Sequence, residues 1–137
     1  MDTEELTREF PWLGYLGGIT TKIVETLYEK ERTYRGSWQR RGGAGAFMML
    51  ARKWDRIEAQ SKAQGYDIFK AVEVDGGKEG VIDDIDDLIG YLLLVRAEAS
   101  RRQEMEDSIR QGRKAGVSNL EEPTGQSDQY SWGQRNL

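Results

Sequence analysis

Four carboxylates in five positions, Asp83, Asp84, Asp86 and Asp87, head an almost unbroken apolar run that ends at Val95. A helix through this stretch puts Asp84, Asp87 and Tyr91 on one stripe. Val81, Ile85, Leu88, Leu92 and Val95 then form the apolar stripe beside it. Asp83 and Asp86 turn away from both, and as acids in a first turn they complement the helix dipole. A buried helix with acids at its mouth needs a counter-charge, and a divalent cation is one candidate. A second acidic pair with the same i, i+3 spacing, Asp55 and Glu58, lies upstream. Residues three apart on a helix are neighbours, so two facing pairs would make an oxygen-rich cage for Mg²⁺ or Mn²⁺. In such a cage Glu58 or Asp87 could orient a water, its pKa lowered by the metal, for attack on phosphorus. Glu31 falls in the apolar stripe of an earlier helix, where a carboxylate either ligates a cation or pairs with an arginine.

Charge is segregated along the chain. Residues 35–56 carry Arg35, Arg40, Arg41, Arg52, Lys53 and Arg56 against the single acid Asp55. Residues 73–87 carry Glu73, Asp75, Glu79 and the four aspartates against the single base Lys78. These blocks could neutralise each other across helices. A bound metal–polyphosphate would use both, carboxylates for the metal and basic side chains for the remaining anionic oxygens. The loop from Arg35 to Gly45 is glycine-rich and basic and opens directly onto a helix, so its backbone N–H groups could receive phosphate oxygens. It is not a P-loop, since no Gly-Lys-Ser/Thr closes it, and by composition alone it reads as a solvated loop.

The chain's 137 residues suffice for one domain with a modest core. Its net charge of -4 argues against direct nucleic-acid binding or an anionic membrane partner. It contains no cysteine and no histidine, which excludes disulfides, thiolate and imidazole metal sites, cysteine nucleophiles and the Ser-His-Asp triad. Any catalysis must rest on carboxylates, hard cations, lysine or arginine. No apolar run approaches a membrane span, and the acidic N-terminus lacks signal-peptide features, so a cytoplasmic protein is expected.

An all-α bundle of about four core helices would position these groups. Residues 1–18 form an arm, with a capping box at Asp2 and Glu5 on a short helix ended by Pro11, then aromatic residues interleaved with glycine. The arm is expected to dock on the bundle rather than act as a lid. A helix over about 19–34 presents Ile19, Ile23, Leu27 and Tyr34. Another over about 46–63 presents Phe47, Leu50, Trp54 and Ile57, with Glu58 at the stripe's edge and Trp54 expected in the core. Residues 64–80 form a connection with a turn at Asp75-Gly76 and short extended pieces at 66–69 and 72–74. The acidic helix continues to about Ile109, closing a domain over 19–110. Residues 111–137 read as a disordered tail whose Tyr130-Ser-Trp132 could dock on a partner.

The acidic pairs on consecutive helices resemble the Glu-x-x-Glu … Glu-x-x-Asp pattern of the MazG-like all-α NTP pyrophosphohydrolases. Three segments also resemble the phage and bacterial nucleotide-modification-associated domain, type one. They are Tyr34-Arg-Gly36-Ser-Trp38, Lys53-Trp-Asp-Arg56-Ile57 and Asp83-Asp-Ile-Asp-Asp87-Leu-Ile-Gly-Tyr91. The resemblance covers about residues 19–97. Arg35 interrupts the Tyr-Gly pair, Gly90 stands where Asn is usual, and Asp55 and Asp84 replace glutamates. The resemblance implies a homo-oligomer, dimer or tetramer, that hydrolyses a (deoxy)nucleoside triphosphate to the monophosphate and diphosphate. Mg²⁺ or Mn²⁺ would be held by Asp84 and Asp87 with Glu58 and Glu31, and less favourably by Asp55. Lys53, Arg56, Arg40 and Arg41 would contact phosphate, with Trp38, Tyr34 or Tyr91 against the nucleoside. A phage role in the host cytoplasm, adjusting the nucleotide pool for modified DNA, is implied too, with purines such as dGTP as candidate substrates. The rivals are a non-catalytic nucleotide-binding or accessory bundle and a structural interaction bundle.

Overall fold

A computed structural model describes residues 1–75 and 80–116. Every regular element among them is helical: α1 (Thr3–Glu9), α2 (Leu13–Tyr34), a 3₁₀ turn (Ser37–Gln39), α3 (Gly42–Lys62), α4 (Ile68–Val74) and α5 (Val81–Gly116). The all-α expectation holds. α5 runs along α3, α2 crosses α5, and short α4 packs against both α3 and α5.

Local chemistry sets the helix ends. Asp2 accepts from the Glu5 amide at 2.9 Å and the Glu5 carboxylate accepts from the Asp2 amide at 3.1 Å, which closes the expected capping box on α1. α2 ends where Arg35 and Gly36 both turn left-handed, with φ of 45° and 73°. The second position suits glycine, which has no Cβ to clash there.

Several boundaries differ from those expected. α2 begins at Leu13, not near Ile19, and absorbs Gly14, Gly17 and Gly18, so no break separates an arm at residue 18. α3 likewise absorbs the glycines at 42–45. Nothing in the structure explains why Gly17 and Gly18 are glycine. Of the extended pieces anticipated at 66–69 and 72–74, the residues from Ile68 onward are instead one helix, α4, with Tyr66 in the turn before it. Asp67 caps it by accepting from the amides of Phe69 and Lys70, both at 3.1 Å, and Ala71 is driven into the core. Residues 111–116 continue α5 instead of opening a tail. The rest of that stretch, with Tyr130 and Trp132, lies outside the described residues, as does Gly76 of the expected turn.

The core is small. Its buried apolar members among the described residues are Ile23, Ala46, Ile57, Ala71 and Val81. Phe47 and Trp54, expected inside, are exposed, as are Tyr34 and Ile19 from the α2 stripe and Leu92 from α5. The five-residue stripe drawn for α5 is therefore buried most completely at Val81.

Gly90 is what lets α2 and α5 approach. A Cβ built there would meet Leu27 Cδ2 at 3.2 Å and Ile23 Cγ2 at 3.8 Å. Alanine gains about 1 kcal/mol of helix propensity, which offsets the slight push on the mobile end of Leu27. Gly90→Ala should thus be near neutral. Gly90→Val adds branched bulk at the same crossing and should destabilise by about 1–3 kcal/mol, measurable by urea unfolding.

Candidate functional site

α2, α3 and α5 enclose a cleft of about 220 Å³. Lys22, Thr26, Lys30 and Glu31 border it from α2, and Asp83, Asp86, Asp87 and Tyr91 from α5. Tyr34, Ser37 and Trp38 wall one end, with Met49 from α3. Gly90, by drawing the helices together, fixes the cleft's floor.

Beside the cleft runs a chain of alternating charges. Lys30 Nζ lies 3.2 Å from Asp87 Oδ1, and Lys53 Nζ lies 2.8 Å from Asp87 Oδ2 and 3.7 Å from Asp84 Oδ1. Arg56 Nε then donates to Asp84 Oδ1 at 2.9 Å, and Gln60 Nε2 donates to Asp84 Oδ2 at 2.8 Å. Lys53, Arg56 and Gln60 share one stripe of α3, spaced i, i+3, i+7. Asp84 is 2% exposed, and its carboxylate is satisfied by that stripe.

The two aspartates therefore differ in kind. Asp84 is buried against α3 and does not border the cleft, whereas Asp87 does and is part-exposed. This revises the division expected from helical geometry. Asp83 and Asp86, expected to face away, border the cleft with Asp87, because α2 and not α3 covers that side of α5. Burial works against the charged form of Asp87, but hydrogen bonds and charge from Lys53 and Lys30 outweigh it and hold the carboxyl below its ordinary range. Asp86 goes the other way. Burial and the nearby Asp83 charge raise it, with Lys22 opposing.

The remaining anticipated residues divide. Tyr34, Trp38, Tyr91 and Glu31 border the cleft, Lys53 reaches its rim through Asp87, and Arg56 pairs with the buried Asp84 away from it. Glu31 borders the cleft, and the partner it shows is neither an arginine nor another side chain but backbone. Its Oε2 accepts from the Gly36 amide at 2.8 Å and so ties the loop that carries Trp38 to the end of α2. Asp55 and Glu58 are exposed on the side of α3 opposite Lys53, Arg56 and Gln60, so the structure does not bring them to Asp84 and Asp87. Arg40 and Arg41 are exposed near the start of α3 and do not border the cleft.

Among the described residues no three carboxylates converge closely enough to hold a metal ion by themselves. The donor set still suits Mg²⁺ that arrives with a polyphosphate, since that ion keeps several waters and takes only one or two protein carboxylates. Asp87, with Asp83 or Asp86 on the same rim, supplies the hard oxygens required.

Lys22, Thr26 and Lys30 were not anticipated. Their i, i+4, i+8 spacing beside Ile23 and Leu27 is the signal that could have found them, as a polar stripe flanking an apolar one. Gln60 carried a similar signal, one turn beyond Arg56 and two beyond Lys53.

Comparison with family models, curated proteins and solved structures returns no match. The functional reading rests on geometry and on the short motifs in the chain itself.

Proposed function

We propose that the cleft binds a (deoxy)nucleoside triphosphate with Mg²⁺ or Mn²⁺ and hydrolyses it to the monophosphate and pyrophosphate, in an oligomer of this chain. The observation that carries the reading is the alternating run Lys30–Asp87–Lys53–Asp84–Arg56 beside a cleft walled by Tyr34, Trp38 and Tyr91. Its Lys30–Asp87–Lys53 part sets ammonium groups on either side of a carboxylate at the cleft's rim, beside aromatic surface for a base.

Asp87 and a neighbouring rim carboxylate, Asp83 or Asp86, would hold the cation. When bound, it would screen phosphate charge and acidify a water. The chain's own groups would do the rest. Lys30, Lys53 and Lys22 would exchange their carboxylate partners for phosphate oxygens and neutralise charge as it builds on the leaving pyrophosphate. Tyr34, Trp38 and Tyr91 would orient the nucleoside. A rim carboxylate would take the proton of a water attacking phosphorus as the bridging P–O bond breaks. Asp84 would act at one remove, by fixing Lys53 and Arg56. A role in a phage-infected cytoplasm, and a purine such as dGTP as substrate, belong to the proposal through the motif resemblance alone. Among the described residues no helix is long and apolar enough to cross a membrane.

One observation favours a second reading, a binding or structural bundle without turnover. Asp84 and Asp87 already have cationic partners within the chain, as simple pairing between helices would give. Pyrophosphate release separates the two. With Mg²⁺ or Mn²⁺ and each common dNTP, the enzyme reading expects equal yields of monophosphate and pyrophosphate. No release with either metal would sink it. Under the second reading, Asp87→Asn would leave nucleotide binding unchanged and alter stability alone.

A further inference from the structure

Trp38 belongs to two cavities at once. It walls one end of the cleft, and it also lines a second, mostly apolar hollow of about 320 Å³ between the start of α3 and the middle of α5. Chain neighbours fall on opposite sides of it. Ser37, Met49 and Leu94 border the cleft, whereas Gln39, Leu50 and Val95 border the hollow. The two cavities therefore abut along the 3₁₀ turn, α3 and α5 together, and Trp38 is the one described residue that lines both. Its turn is tied to α2 through Glu31. Arg35 and Gly36, both left-handed, each give an amide to that residue: the Arg35 amide to its carbonyl at 3.0 Å, the Gly36 amide to its Oε2 at 2.8 Å. Arg35 carries a Cβ and is strained at a φ of 45°, so the turn keeps its course through bonds such as these.

We infer that Trp38, held in place by Glu31, limits the size of the nucleoside that the cleft accepts, by closing it off from the hollow beyond. The inference rests on the cleft's being a nucleotide site. Its volume of about 220 Å³ lies under the roughly 300–1,000 Å³ usual for a small-molecule site, and joined with the hollow it would fall inside that range. Asp87 and Leu94 stand two turns apart on α5, about 10 Å. A nucleotide held by its phosphates at Asp87 would thus point its base at the indole, and a bulky group on that base would meet it. Glu31 acts here as a positioning residue, with no contact to phosphate or metal required of it.

Calorimetry on the full chain tests this with Mn²⁺ and two probes, a non-hydrolysable purine deoxynucleoside triphosphate analogue and the same analogue benzylated on its base. The unmodified chain should bind the benzylated probe about 10-fold more weakly or worse. Trp38→Ala joins the cavities and should bring the two affinities within about 3-fold. Glu31→Ala keeps the indole but frees its turn, and should move the ratio the same way. Glu31→Gln keeps an acceptor for the Gly36 amide and should keep the unmodified chain's ratio. A purely structural Glu31 would weaken both probes alike. Trp38 is read separately in a chain carrying Trp12→Phe, Trp54→Phe and Trp132→Phe, where acrylamide should quench it more with Glu31→Ala than with Glu31→Gln. Equal affinity of the unmodified chain for both probes, or a ratio that Trp38→Ala and Glu31→Ala leave unchanged, overturns the inference while the proposed function stands. Binding of neither probe overturns the proposed function and the size limit with it. Equal quenching in the two Glu31 variants overturns the tie between Glu31 and Trp38 whatever binds.

Discussion

Replacing Asp84 with alanine should lower the stability of the chain by about 3 kcal/mol, with a fall in Tm of roughly 10 °C. Asp84 is 2% exposed and receives Arg56 at 2.9 Å and Gln60 at 2.8 Å, with Lys53 at 3.7 Å. Its removal takes away two good hydrogen bonds and leaves the amide of Gln60 in a poorly solvated place, while Lys53 keeps its 2.8 Å pairing with Asp87. Arg56 softens the loss, because its side chain is 47% exposed and can turn to water. Asp84→Asn should fall between the two, since it keeps an acceptor but not the charge. Chemical denaturation of the three proteins checks the order. An alanine variant as stable as the parent would mean that the α3–α5 contact does not depend on this carboxylate.

Asp87→Asn should behave in the opposite way, with turnover reduced on the order of 10²-fold or more and stability changed by less than about 1 kcal/mol. Asp87 is part-exposed and pairs with two lysines at a cleft rim, where water can replace either partner. Its pH behaviour follows from the direction of its shift. Because the folded carboxyl is held below its ordinary range, Asp87 contributes stability above the unfolded value of about 3.9, and that contribution is lost as pH falls through the folded value. Asn at this position should remove that part of the acid limb. Asp86, which is raised, works in the reverse direction: its contribution is present below the unfolded value and is lost as pH rises through the folded one. Acid unfolding of the two Asn variants should therefore shift in opposite senses. Under the proposed function, a residue that sets stability and one that sets turnover stand three positions apart on one helix.

Much of the fold is legible in the residues. The helical periodicity of α2, α3 and α5 and the capping box on α1 appear in the structure because helical propensity, cap and packing agree there. α4 was missed because seven residues are too few for a period to declare itself, and Asp67 alone marks its start. The glycines at 14–18 and 42–45 read as breaks, yet each glycine's cost of about 1 kcal/mol in a helix can be offset by tertiary packing. Phe47 and Trp54 read as core because periodicity reports an apolar face and cannot say whether the chain itself supplies the partner.

The site was half legible for a related reason. Spacing put Asp84 and Asp87 on one stripe with Tyr91, and the motifs selected Lys53, Arg56, Trp38 and Tyr34. Spacing could not show that α2 lies over Asp83 and Asp86, which brings Lys22 and Lys30 to the cleft. Nor could it show that Asp55 and Glu58 point away, since that depends on which side of α3 meets α5.

The most direct measurement of the central claim is a crystal structure with Mn²⁺ and a non-hydrolysable nucleoside triphosphate analogue, read by anomalous scattering. The account predicts a manganese peak on Asp87, with phosphate oxygens on Lys30 and Lys53 in place of their carboxylate partners. Manganese and nucleotide bound elsewhere, with the Lys30–Asp87–Lys53 contacts intact, would contradict it.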